Sequence, residues 1–553
     1  MKSLIIGLDG ADWRILDPLI NRGQLPTLKR LIDRGCRGIL RSTIPPFSPP
    51  AWASMITGVN PGKHGVFDFT NIDKEYQIVT VPLMNRLKAM PFWRILNKNG
   101  ISTGIVNLPI LYPPEDVIGY LVCGMVTPES AEIFSYPQEI SKIIGKPGEN
   151  WLIGQRLSPG FSLEEFLLEI KAKTIRQAEL TLQLIEKFMT QTLMVVFDGG
   201  DKAQHFFWKY SDPSHPRYEQ QANEALKSAI SDYYINLDVH LGRILERFGE
   251  SDIIIVSDHG FGELTRAFHI ERWLLEKGYL ELKPSATISI NRISGQIFRR
   301  IWTSIRRLRV LKVMAERRAV LERMVQRTKV VFHEKGNQFR EMIDWNRTKV
   351  FFMGRTSSGL RINVRGREKL GIISEGEEYT DLVEKLKTQL AQISDPSNQR
   401  SVIRNIFQRG EIYDGPQVGG APDLIIMPES GYGFIEGFSD EYLESFCERG
   451  RELSGNHRME GIFIASGPDF KKLEHPVEAN IVDIMPTILY LNHLSVPNYV
   501  DGDVITSIIH DDYKIKNPIK HHEANVVVTP TADGYSDDER KQVEEHLKAL
   551  GYL

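Results

Sequence analysis

Three short apolar runs that each stop at a carboxylate set the strongest limit on what this chain can fold into. Ser3 to Leu8 ends at Asp9-Gly10, the run LMVVF ends at Asp198, and DIIIVS ends at Asp258-His259-Gly260. Runs of this length bounded by turn residues fit strands buried on both faces. Comparable runs occur at Thr103 to Leu108, Tyr120 to Val126 and Leu424 to Met427, with helical patterns at Asp12 to Arg34, Ala172 to Thr190 and Glu219 to Phe248 between them. Strands alternating with helices predict an α/β fold with a mostly parallel sheet covered on both faces. Open sheets of that kind gather their ligands at the carboxyl ends of the strands, where these acidic residues fall.

A chain of 553 residues with 41% hydrophobic content can bury a core of that size. Its net charge of -3 lacks the basic excess of a nucleic-acid-binding protein, so no specific nucleic acid is expected as a partner. Cys36, Cys123 and Cys447 are scattered and form no CxxC pair, which suits buried thiols in a reducing compartment. MKSLIIGLDG lacks the long apolar region and cleavage site of a signal peptide, and no run is long enough to span a bilayer. The expected location is cytoplasmic.

The division expected along the chain is a first part of the α/β core over 1–285, an inserted segment over 286–345, a second part of the core over 346–510 and a tail with a short helix over 511–553. The insertion is distinctive. From Arg292 to Lys329, Ile297, Ile301, Ile305, Leu308 and Leu311 follow helical spacing, with Arg299, Arg300, Arg306, Arg307, Arg309, Lys312, Arg317 and Arg318 around them. Such a basic amphipathic helix suits peripheral contact with an anionic membrane, a cover that gathers an anionic substrate, or a solvated helix packed by its apolar stripe.

PPFSPPAWASMITG places Ser48 immediately before two prolines and an apolar run. Proline is tolerated in the first helical turn, so Ser48 falls at a helix N-terminus, where amides and the helix dipole favour an anion. Two readings stand side by side: a helix cap, and a nucleophile that becomes an alkoxide and then carries a phosphoryl group.

The rest of the polar set decides between them. Asp9, Asp201, His205, Asp258, His259 and His457 fall at strand ends or just after them, and carboxylates with imidazoles but no thiolates suit zinc or manganese. Asp201 and His205 are spaced to share one face of a helical turn, as two ligands of one ion require. A metal ion beside Ser48 would let its hydroxyl ionise near neutral pH, and a phosphoseryl intermediate hydrolysed in a second step follows.

GLDGAD, PPFSPPAWASMITGVNPGKHG, DKAQH, SDHGFG, GNHRMEGIFIASG and the terminal LKALGYL together resemble the alkaline phosphatase superfamily, in its branch of type I phosphodiesterases and nucleotide pyrophosphatases with their phosphohydrolase and phosphomutase relatives. The resemblance implies a three-layer sandwich and two divalent metal ions. One ion would be held by Asp201, His205 and His457, the other by Asp9, Asp258 and His259. It also implies that Ser48, nine residues before the Thr57 of the Thr57-Gly58 pair, is the nucleophile.

Around that set, His64 is expected as a structural part of the turn after the nucleophile helix or as an outer support of the site, and Asp198 as an outer support of Asp201. Nucleotide pyrophosphatases carry a phosphate-binding asparagine where this chain has Phe69, which argues against a nucleotide diester unless Asn71 takes its place. The expected partner is a small phosphate ester, cleaved as a diester, pyrophosphate or monoester. A phosphomutase on the same metal core and a catalytically silent protein that binds anions or membranes are the alternatives. A sulfatase is disfavoured because Ser48 is followed by PPAW rather than a CxPxR-type motif.

Overall fold

The computed structural model describes residues 2–145, 147, 162–284, 336–437, 442–444, 447–448, 451–524 and 534–550. The basic stretch from Arg292 to Lys329 lies outside them. A nine-stranded sheet forms the centre, in the order Val477–Asn480, Cys36–Arg41, Glu460–Ser466, Asp252–Val256, Ser3–Leu8, Thr192–Phe197, Thr103–Leu108, Gly119–Cys123 and Ser135–Tyr136. The five strands from Asp252–Val256 to Gly119–Cys123 are mutually parallel. Both faces of these strands are buried, which is why their sequences read as unbroken apolar runs.

Helices cover the sheet as the outer layers of a three-layer α/β arrangement. One packing group holds Trp13–Asn21, Pro26–Arg34, Leu163–Lys187, Gly199–Ser211 and Ala229–Leu245; the other holds Ser48–Thr57, Phe92–Lys98 and Ile484–Leu491. The single helix expected from Asp12 to Arg34 is two. The first ends before Gly23, whose φ of +72° is left-handed, and Pro26 opens the second at a position where its missing N–H costs nothing.

Leu424–Pro428 was expected among the strands of the main sheet, and it belongs elsewhere. It lies inside a four-stranded antiparallel sheet with Val350–Phe352, Gly359–Ile362 and Ile403–Gln408, which forms a second lobe with its own core. Helix Glu377–Leu390 packs Leu382, Val383, Leu386 and Leu390 into that core. A ten-residue strand, Gly260–His269, links the lobes: its start pairs with Gly455–Arg458 and its end with Gly431–Ile435. No helix among the described residues is long and apolar enough to cross a membrane.

Candidate active site

The register of the central strands brings the acidic residues to one edge. Leu8 pairs with Phe197 and Gly7 with Val256, so Asp9, Asp198 and Asp258 emerge side by side at the carboxyl ends of three adjacent strands. Asp201 and His205 follow on the helix Gly199–Ser211, and His457 arrives on a strand whose register sets it opposite Phe261. Gly10 permits this convergence. Its φ is +70°, its amide donates to Asp258 Oδ1 at 3.2 Å, and a Cβ there would stand 3.0 Å from the Phe261 ring and 3.2 Å from the Asp201 Cα.

Ser48 is the first residue of its helix, and the cap position belongs to Phe47. The Ser48 hydroxyl is therefore free of capping duty. It is fully buried and lies 3.3 Å from His259 Nε2.

The donor atoms form two adjoining groups. In the first, His457 Nε2 is 3.0 Å from both Asp201 Oδ1 and His205 Nε2, and His205 Nε2 is 3.3 Å from Asp201 Oδ1. In the second, His259 Nε2 is 3.3 Å from Asp258 Oδ2 and 3.7 Å from Asp9 Oδ1. His259 also comes within 4.8 Å of the Asp201 and His457 donor atoms, and its ring stacks on His457 at 3.7 Å, so it joins the two groups.

These donors fit divalent cations on two observations. First, each imidazole sets its Nδ1 against a backbone carbonyl: His205 on Gly455 at 3.0 Å, His457 on Pro46 at 3.0 Å and His259 on Gly260 at 3.1 Å. With Nδ1–H donating, each Nε2 presents a lone pair to the cluster. The lone pairs of His205 and His457, facing at 3.0 Å, repel unless a cation or a proton lies between them. Second, Asp9 Oδ1 and Asp258 Oδ2 are buried without a hydrogen bond among the described residues. A carboxylate oxygen in that state calls for a positive partner.

The electrostatics of the two groups differ. Burial, with Asp258 and Asp201 nearby, holds the Asp9 carboxyl well above the usual range, and burial pushes Asp258 up to about 7. Burial would also raise Asp201, yet Lys202 and His205 outweigh it and hold this carboxyl well below the usual range. Lys202 is itself buried, with Nζ 2.7 Å from Asp201 Oδ2. Burial lowers His205, and burial together with His259 lowers His457 strongly, so both rings are neutral and ready to ligate.

The outer residues divide. Asp198 accepts from Lys173 Nζ at 2.9 Å and from Asn107 Nδ2 at 3.4 Å, which anchors the strand end from which Asp201 departs. His64 accepts from the Val66 amide at 3.1 Å through Nδ1 and meets Ser54 Oγ at 2.9 Å through Nε2, clasping the turn to helix Ser48–Thr57. Burial lowers its pKa to about 3, so it is a neutral clasp. Asn71 is exposed and lines a different cavity, and Phe69 is buried in the main core. Sequence reasoning missed Trp52, whose Nε1 donates to Asp9 Oδ2 at 3.4 Å, and Lys202, although both stand inside the quoted motifs.

A model of the type I phosphodiesterase / nucleotide pyrophosphatase family matches residues 3–460. The chain belongs to that family. Membership makes it a phosphoester hydrolase of the alkaline phosphatase superfamily, and the buried Asp and His groups are suited to the divalent metals on which such phosphodiesterases generally depend. Crystal structures of phosphonoacetate hydrolase from Sinorhizobium meliloti 1021, in complex with phosphonoformate or phosphonoacetate, cover 88% of this chain and 94% of their own at 14% identity and a TM-score of 0.51. That likeness is one of fold. Murine ectonucleotide pyrophosphatase / phosphodiesterase 5 covers 92% of this phosphodiesterase-family chain and 100% of its own at 13% identity, with a TM-score of 0.48. A search of curated proteins found no match.

Proposed function

We propose that this chain hydrolyses small phosphoric esters by passing the phosphoryl group through Ser48, at a centre of two zinc or manganese ions. Asp201, His205 and His457 would hold one ion; Asp9, Asp258 and His259 would hold the other. Such ions supply Lewis acidity, which lowers the pKa of a hydroxyl and offsets charge on phosphoryl oxygens. The observation that carries this reading is the Ser48 Oγ at 3.3 Å from His259 Nε2, beside the imidazole that joins both donor groups.

The chain's own residues define the two steps. Ser48 Oγ loses its proton and bonds to phosphorus, and the ester P–O bond breaks as the leaving alcohol takes up a proton. Water then attacks the phosphoserine from the side the leaving group vacated, breaking P–Oγ and returning a proton to Ser48. The positive end of the helix Ser48–Thr57 dipole favours the anionic states on this oxygen, with the Ser48 amide as the N–H of its first turn, since Pro49 and Pro50 carry none and the Ala51 amide is bonded to the Phe47 carbonyl. The three Nδ1 anchors hold the imidazoles in fixed orientation, and burial of the whole cluster strengthens each electrostatic contact.

The test is hydrolysis of bis-p-nitrophenyl phosphate and p-nitrophenyl phosphate with zinc and with manganese, by wild type and Ser48→Ala. Acid-quenched wild-type reactions are digested and analysed for phosphoserine on the peptide that contains Ser48. Turnover in wild type with phosphate at Ser48, and neither in the variant, is the expected result. Equal turnover by both proteins would overturn the covalent route.

A further inference from the structure

A cavity of about 210 Å³ opens between the two lobes and reaches the cluster at Phe47 and His457. The main lobe supplies Arg41 and Arg458 to its lining, and the second lobe supplies Arg355 and Arg404. Glu460 is the one carboxylate among the lining residues. Arg41 is paired with Glu478 at 2.8 Å and Arg458 with Glu263 at 3.1 Å.

Arg355 and Arg404 differ in place. Arg355 lines the cavity together with His457 of the cluster. Its loop is held by the Arg355 amide donating to Glu436 Oε1 at 3.1 Å and by Thr356 donating to Asp68 Oδ1 at 2.6 Å. Arg404 lies on the edge strand Ile403–Gln408, exposed, and has no ion-pair partner among the described residues. The lining also carries the apolar side chains Phe47, Met427 and Phe434 beside the polar Ser358, Asn405 and Asn456. The volume is below the roughly 300–1,000 Å³ that drug-sized ligands occupy, which limits the occupant to a small substituent.

Resting on the phosphoesterase reading above, we propose that this cavity receives the organic substituent of the ester and that Arg404 selects one ending in a second anionic group, a carboxylate or a phosphate. A guanidinium in the wall of a partly apolar pocket gives a charge-assisted, two-pronged contact to such a group, which a neutral substituent cannot accept. The substrate class is then a short organic phosphate bearing an anion at each end.

Three non-hydrolysable probes of similar length test this by calorimetric titration of the manganese-loaded protein: propylphosphonate, 3-phosphonopropanoate and ethane-1,2-diphosphonate. Wild type is expected to bind at least one of the doubly headed probes about tenfold tighter than propylphosphonate. A preference for the carboxylate, the diphosphonate or both supports the proposal and names the head group. In Arg404→Ala and Arg404→Glu the ratio falls toward one, and Arg404→Lys keeps part of it. The ratio is taken within one protein, so a partly unfolded sample leaves it unchanged. A ratio near one in wild type, or an undiminished ratio in Arg404→Ala, overturns the proposal. Loss of propylphosphonate binding in Asp201→Asn reports separately on the metal-centre reading.

Discussion

The edge of the large sheet and the facing loop of the second lobe both border one cleft, and they are built on opposite principles. At the sheet edge the polar groups are sealed: Asp9, Ser48, Asp201, His205, Asp258 and His259 are all at most 2% exposed, and each imidazole is pinned by a carbonyl. The second lobe offers long cations from an exposed edge strand and from a loop whose tethers include the bonds of Thr356 to Asp68 and of the Arg355 amide to Glu436. On the proposed function, chemistry falls to the first region and selection to the second. Damage to the sheet edge should act on turnover and on metal-dependent stability. Damage to the lobe should act on KM and on the contact between the lobes.

The largest effect expected is that of Ser48→Ala. Removing a nucleophile costs on the order of 10³-fold or more in kcat. The melting temperature should stay close to wild type, because the hydroxyl is not the helix cap. Retention of more than about a tenth of the wild-type rate, measured with either nitrophenyl ester, would break the assignment of chemistry to this edge.

Next comes Lys202→Met. Its ammonium is buried against Asp201 at 2.7 Å, and removing one member of a buried pair leaves a naked charge, at a cost of about 3 kcal/mol or more. Urea unfolding with and without manganese separates the two roles of that charge. Part of the loss should be recovered with the ion bound, since a cation held by Asp201 compensates the same carboxylate. An equal loss in both conditions would mean that Asp201 holds no metal.

The same contrast governs what could be read from the chain alone. The sheet edge was legible because a doubly buried parallel strand forces a continuous apolar run, and the first polar residue after it must lie at the carboxyl end. Asp9 and Asp258 were visible for that reason, and Asp201 with His205 through their spacing on a helical turn. Which donor atoms gather into one group could not be read from spacing, since His259 meets both groups only through strand register. Leu424 to Met427 was recognisable as a strand, but a buried run carries no mark of the sheet it joins. Arg355 and Arg404 left no signal at all. They reach the cleft through the folding of a separate lobe, and an arginine near a strand end looks like any solvated one.

A smaller effect tests the joint between the regions. Burial raises the Asp68 carboxyl to about 6, against the pull of its bonds from Thr356 and the Phe69 and Thr70 amides and of the Arg86 charge. A carboxyl raised in the folded state contributes stability that is complete below its unfolded pKa of about 4 and is lost as pH rises through about 6. Asp68→Asn keeps the uncharged form at every pH. The stability of wild type relative to this variant should therefore fall by roughly 3 kcal/mol between about pH 4 and pH 7. A flat difference in denaturant unfolding across that range would show that Asp68 carries its charge at no special cost.

Thr356→Val asks whether that joint matters for selection. The substitution keeps the shape and removes the hydroxyl that donates to Asp68 Oδ1, leaving a buried acceptor short of one partner at a cost of about 1–2 kcal/mol. Losing a bond that favours the carboxylate also moves the Asp68 pKa further up, so the cost grows as pH rises. The loop that carries Arg355 then keeps the bonds of the Arg355 amide to Glu436 and of the Ile426 amide to the Ser358 carbonyl but loses its tie to Asp68. With Ser48 and the donor groups untouched on the other side of the cleft, KM should rise by less than about tenfold while kcat stays within a factor of about two. A fall in kcat at unchanged KM would mean that the lobe takes part in the chemical step, and the division between the two regions would have to be redrawn.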